Sequence, residues 1–313
     1  MVIFLFFVPL KLISDFMKAP KRALILALIA ILCWSSIGSA FRLTLNIIPP
    51  PLLLFYALLT ALLFTGMYIL VKGNFRQLFQ YSRRQYIQSA LTALLNPFIY
   101  YLLLLHAYDI LPTQVAGTIN YIWPIILVIL SAVVLKQKVG IRAFLACFIS
   151  FSGLVLIVTR GDFRSFSYSD PLGVVFILCC SIFFALYWIL NLKDARSAED
   201  KLFLTYFFAL LYLIPVLCFL PYSPFPPIKG LLGSIYIGIF EMGLTFLLWL
   251  KALQITNNTA RLSNLVFLSP FISLFFISIF VGETIALSTF VGLLLIVLGI
   301  LLSQTKQASL APK

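Results

Sequence analysis

Lysine and arginine are distributed in this chain with a regularity that leaves few folds open: ten apolar runs divide the sequence, and the cations crowd into every second segment between them. A run of about 20 apolar residues is what an α-helix needs to cross the hydrocarbon core of a bilayer. Breaking the sequence at its polar and proline-rich stretches predicts helices over 23–43, 51–71, 85–106, 114–135, 141–159, 171–192, 202–220, 231–250, 261–281 and 285–303. Ten spans put both termini on one side. That side holds 18 of the 22 lysines and arginines, while the other keeps only Arg42, Arg160, Arg164 and Lys229. Because cationic loops stay in the cytoplasm, the expected fold is an all-α integral membrane protein with ten transmembrane helices. Both termini would face the cytoplasm of a bacterial inner (plasma) membrane.

Composition removes the main alternatives. With 63% hydrophobic and 10% charged residues, too little polar surface exists to coat a water-soluble domain of 313 residues. A net charge of +13 would suit nucleic acid in a soluble protein. Here the cations answer to topology and to anionic headgroups, so membrane lipids are expected partners and nucleic acid is not. Cys33, Cys147, Cys179, Cys180 and Cys218 all fall in apolar runs without a CxxC pair, which argues for packing residues and against a disulfide framework or zinc site. No Gly-Lys dipeptide, HExxH or GxSxG motif occurs, and His106 is the sole histidine. The expectation is therefore no enzyme, no cofactor and no metal, with energy drawn from a gradient of protons or of a counter-substrate. The apolar run Val2 to Leu10 is too short to span a bilayer, so residues 1–17 are expected to be an N-terminal extension, either interfacial or upstream of a start at Met17.

The chain also resembles itself. Pro124, Phe144 and Gly153 recur 146 residues later as Pro270, Phe290 and Gly299. Just upstream the offset is 145, pairing Leu102, Leu103, Leu105, Ala107 and Ile110 with Leu247, Leu248, Leu250, Ala252 and Ile255. A constant register points to duplication. Five helices per half is an odd number, so the halves would enter the membrane with opposite polarity: inverted repeats over 18–160 and 168–304, followed by a cytoplasmic tail, 305–313. Such repeats place a substrate site near the bilayer midplane and alternate its access.

Candidate site residues follow from cost. Glu241 is the one acidic residue near the centre of a predicted span, where a carboxylate must face a cavity, find a donor or carry a proton. Its counterpart across the repeat is Asn96. Glu241 is thus a candidate proton or cation coupling group, against the plainer alternative of a protonated side chain making an interhelical hydrogen bond. Arg42, eight residues after Trp34, either contacts an anionic group or snorkels to the headgroups. The stretch Asn120, Tyr121, Ile122, Trp123, Pro124 joins an amide and two large rings to a proline that would free a backbone carbonyl in mid-helix, with Pro270 as the matching break. Those rings would stack on a flat or cationic ligand, or only pack between helices. Ala146, Ser150 and Gly153, and likewise Gly292, Gly299 and Ser303, form small-residue faces that let helices approach closely.

The run Trp34-Ser35-Ser36, the paired Pro124 and Pro270, the turn Gly282-Glu283-Thr284 and the anchors Gly153 and Gly299 resemble the drug/metabolite transporter superfamily with EamA-type repeats, over residues 18 to 304. Gly117, Asn120, Tyr121, Trp123, Pro124 and Gln137-Lys138, with Arg42 eight after Trp34, are similar to the aromatic amino acid and paraquat exporter branch. The turn at Lys136-Gln137-Lys138 departs from the Gly-Glu-Thr of the second half. The resemblance implies a central cavity lined by helices 1, 3, 4, 6, 8 and 9 and movement of small metabolites without ATP. Trp34, Asn120, Tyr121, Trp123, Tyr187 and Glu241 would line it, in a monomer or homodimer. The function expected is secondary active export of an amino acid, aromatic above all, or a related compound. The sequence leaves open import or exchange of a nucleotide-like metabolite such as S-adenosylmethionine and, in another class, an intramembrane enzyme or lipid-handling protein.

Overall fold

The computed structural model describes residues 19–304 except 112–115, 117–118, 121, 137–139, 160, 163, 165–169, 220–224 and 281–286. The side chains at 19–20, 157–158, 260–261, 274, 277, 289, 293, 300 and 303–304 also lie outside the description. The N-terminal extension, the tail, Tyr121, Gly117, Gln137-Lys138 and Gly282-Glu283-Thr284 thus fall outside it.

The described residues are helical, with no strand among them. In chain order the helices are α1 (Ala19–Leu45), α2 (Pro50–Val71), α3 (Arg83–Ile110), α4 (Trp123–Val134), α5 (Ile141–Val158), α6 (Pro171–Lys193), α7 (Ala198–Cys218), α8 (Ile228–Ile255), α9 (Leu268–Phe280) and α10 (Leu287–Gln304). By length and composition six of them, α1, α2, α3, α6, α7 and α8, suffice to cross a membrane; the other four are shorter apolar helices. Leu63, Val133, Phe148, Ile279 and Leu294 are all more than half exposed. Apolar surface on that scale has no place in water, and lipid removes its cost.

Helix starts follow local chemistry. Pro50 and Pro51 open α2, and Pro171 opens α6 behind Asp170, whose carboxylate accepts the Leu172 N–H at 2.8 Å. Ser82 and Gln85 form a capping box at α3. At α7 the start moves from the expected 202 to Ala198, because Ser197 caps the helix by accepting the Asp200 N–H at 3.1 Å. Glu199 and Asp200 then sit in the first turn, where the helix dipole favours acids.

Two long helices are interrupted. In α3 a π-helical turn covers Leu94–Ile99, with Asn96 in extended geometry (φ −149°, ψ 124°) before Pro97. In α8 the π-helical turn is Gly238–Gly243 and contains Glu241. These interruptions fall at positions that correspond across the sequence repeat, and such turns concentrate at functional sites. A 3-10 segment, Asn264–Phe267, leads into α9.

Packing follows the same correspondence. α1 lies against α9 and the second half of α8, while α6 lies against α4 and the second half of α3; α2 pairs with α7, and α5 with α10. The last pair is the closest. A Cβ on Gly153 would overlap the Gly292 carbonyl, one on Gly299 would sit 2.6 Å from the Ala146 carbonyl, and Ser150 Oγ donates to the Ile296 carbonyl at 3.4 Å. Since Gly153 meets Gly292 while Ala146 meets Gly299, residue numbers rise along one helix as they fall along the other. The two helices run antiparallel.

Candidate functional site

Glu241 is 5% exposed, held in the interrupted turn of α8. Tyr101, just past the break in α3, donates its hydroxyl to Oε1 at 2.6 Å. The Trp34 indole of α1 faces the same carboxylate as a second donor, yet Oε2 closes no hydrogen bond with the described residues. A buried carboxylate oxygen without a partner is costly, and its persistence in one place calls for an explanation.

Rings surround it. Trp34 lies 5.3 Å from Trp249 and 6.2 Å from Trp123, and Trp123 meets Phe184 edge-on at 5.0 Å. Phe184 stacks on Tyr100 at 4.8 Å with an interplanar angle of 15°. Phe246 closes the shell, 5.8 Å from Phe184, 6.1 Å from Tyr187 and 5.2 Å from Trp188. Five helices, α1, α3, α4, α6 and α8, therefore converge on one aromatic wall. Asn120 donates to the Tyr100 hydroxyl at 3.1 Å, and Ser181 Oγ donates to the Asn120 carbonyl at 3.1 Å, tying the residues before α4 to α3 and α6. Several polar atoms of these residues stay buried without a hydrogen-bond partner among the described residues: Asn120 Oδ1, the Trp188 and Trp249 indole N–H groups and the Tyr187 hydroxyl. The arrangement offers flat faces for a ring, a carboxylate for a cation or proton, and donors for an anionic group.

Of the residues singled out in the sequence, Trp34, Asn120, Trp123, Tyr187 and Glu241 meet in or against this shell. Asn96 stands in the break of α3, fully buried, with both amide atoms unpaired among the described residues. Arg42 lies in the last turn of α1, half-buried, roughly 12 Å along the helix from Trp34. Pro124 is the second residue of α4 and Pro270 the third of α9. Each opens a helical segment, where a missing N–H costs little; helical residues 119–120 and a turn at Ile122 precede the first, and the 3-10 segment Asn264–Phe267 precedes the second. Tyr121 lies outside the described residues. Tyr100, Tyr101, Phe184, Phe246, Trp188 and Trp249 were not anticipated. Tyr101 carried one signal, its place five residues after the partner of Glu241. Among the described residues no three of His, Cys, Asp and Glu gather where a metal ion could sit.

The sequence profile of the EamA-like transporter family matches the chain twice, at residues 21–159 and 171–305. The chain belongs to that family. As an EamA-like transporter it is an integral membrane protein with two EamA repeats. Curated relatives include two Archaeoglobus fulgidus proteins named uncharacterized transporter. One is 29% identical over 59% of this chain and 66% of its own length, the other 25% identical over 55% and 61%. The match thus spans just under two thirds of these relatives. An uncharacterized transporter of Bacillus subtilis is 22% identical over 93% of this chain and 92% of its own. A solved crystal structure superposes with a TM-score of 0.75 over 90% of this chain and 97% of that one, at 19% identity, which shows a shared fold.

Proposed function

We propose that this EamA-like transporter is a secondary active transporter in which ten membrane-crossing helices, arranged as two inverted five-helix repeats, alternate the access of a site built around Glu241. The exchange of packing partners supports the inverted repeat: α1 on α8 and α9 is answered by α6 on α3 and α4. The antiparallel contact of α5 with α10 supports it as well. Gly153 corresponds to Gly299 and Ala146 to Gly292, so the contact is self-complementary, as a two-fold axis requires. The bias of 18 cations to 4 supports a cytoplasmic position for both termini.

One observation carries the functional reading: Glu241 has one oxygen held by Tyr101 and the other, among the described residues, unpaired inside an aromatic shell. Such a shell takes the flat body of an aromatic amino acid or related amine. The free oxygen receives its ammonium or a coupling proton, and the unpaired indole N–H groups face its carboxylate. Stacked faces also fit a purine, which favours a nucleotide-like metabolite such as S-adenosylmethionine as the second reading. A thermal-shift screen of the purified protein separates the two, because a ligand at 100 times its Kd stabilises the folded state by about 2.7 kcal/mol. Aromatic amino acids should raise the melting temperature, and Glu241→Gln should abolish the shift. A shift given by S-adenosylmethionine alone moves the assignment to the second reading, and no shift by any amine-bearing ligand removes both.

A further inference from the structure

Away from the aromatic shell, six charged side chains of the lysine- and arginine-rich face, Lys72, Asp194, Arg196, Glu199, Asp200 and Lys251, gather in one place. Lys72, at the end of α2, donates to Glu199 Oε1 at 2.5 Å. Lys251 of α8 lies 3.5 Å from Glu199 Oε2 and donates to the Tyr68 hydroxyl at 2.7 Å. Both ammonium groups sit over the Tyr68 ring, at 4.9 and 4.5 Å. Beside them Tyr81 donates to Asp200 Oδ2 at 2.5 Å, while Arg196 donates to Asp194 Oδ2 at 2.6 Å and to Ser89 Oγ at 2.9 Å.

The pattern of these links is informative. Tyr68, Lys72, Tyr81 and Ser89 belong to the first repeat, and Arg196, Glu199, Asp200 and Lys251 to the second. Lys72 to Glu199, Lys251 to Tyr68, Tyr81 to Asp200 and Arg196 to Ser89 therefore all cross from one repeat to the other. All three ion pairs among the described residues lie in this cluster. At the other end of the molecule the repeats meet differently, by small residues in van der Waals contact, Gly233 against Thr44 and Gly230 against Ile48. A carboxylate as buried as Glu199, with 9% side-chain exposure, is tolerable only while paired or while fully hydrated. That gives the face two arrangements and little between them.

We infer that Glu199 is the shared carboxylate of an ionic clasp that locks the two repeats together on the cation-rich face. The central shell opens to that face only when Lys72 and Lys251 release it. The clasp is independent of what is carried.

A native reporter tests it. Cys33 is half-buried beside Trp34 and neighbours Thr245 and Glu241. With the other four cysteines replaced by serine, its alkylation by a membrane-impermeant maleimide, added to either face of full-length protein in oriented vesicles, reads which face is open. Glu199→Gln and Lys72→Gln should each speed labelling from the cation-rich face about tenfold, with no gain from the other face. The double variant should be no faster than Glu199→Gln, since Glu199→Gln already removes the pairing that Lys72→Gln breaks. In the parent protein 1 M salt should also speed labelling, because the Debye length falls to about 3 Å and the Lys72 side chain is 42% exposed. Should Glu199→Gln fail to fold, Lys72→Gln and the salt titration decide alone. A parent-like rate in Lys72→Gln without a salt effect overturns the clasp, as does an equal gain from both faces.

Discussion

Asp194 and Arg196 show how tightly single charges are constrained here. Burial raises the Asp194 carboxyl, but the hydrogen bonds and charge of Arg196, with Lys201 beyond, outweigh it and hold the group below the usual carboxylate range. A depressed folded value means that the stabilisation is present above the unfolded value, about 3.9, and is lost as pH falls through the folded one. Acid unfolding followed in detergent should steepen below about pH 4, and Asp194→Asn should blunt that acid sensitivity. The same variant should cost roughly 3–5 kcal/mol at neutral pH by stranding Arg196, whose side chain is 4% exposed. An acid limb unchanged in the variant would count against the pairing. Glu241 was legible in the sequence because an acid amid apolar residues is conspicuous at any position. Phe184 and Phe246 were not: in a chain with 31 phenylalanines a ring carries no mark of where it packs, and this shell joins residues far apart in sequence.

Among the elements, the α5–α10 pair makes the sharpest demand. Gly153→Leu would drive a side chain into the Gly292 carbonyl, and overpacking of that kind costs about 1–3 kcal/mol. A lower melting temperature is expected for Gly153→Leu, and almost none of that loss for Leu145→Ala on the exposed side of the same helix. Equal losses would show that the small-residue face is not the contact. Hydropathy found these helices because lipid selects apolar length directly. It misplaced the start of α7, since Glu199 and Asp200 look solvated until residues more than 100 positions away pair with them. The π-helical turn of α8 was likewise hidden, since an inserted residue leaves apolar periodicity almost unchanged; that of α3 carried a mark in Pro97, and the Asn96–Glu241 correspondence hinted that the break is shared.

For the whole molecule, the two repeats interlock through helices that exchange partners, with an ion-paired face at one end and a small-residue contact at the other. Under the proposed alternating access the site would open to one side at a time, so cargo waiting on the far side would speed the return of the empty site. Trans-stimulated flux in proteoliposomes reads that property directly. Vesicles preloaded with an unlabelled aromatic amino acid should take up the labelled one faster than empty vesicles, saturably, and Glu241→Gln should abolish the acceleration. Uptake that does not saturate, ignores preloading or is unchanged in Glu241→Gln would contradict the account.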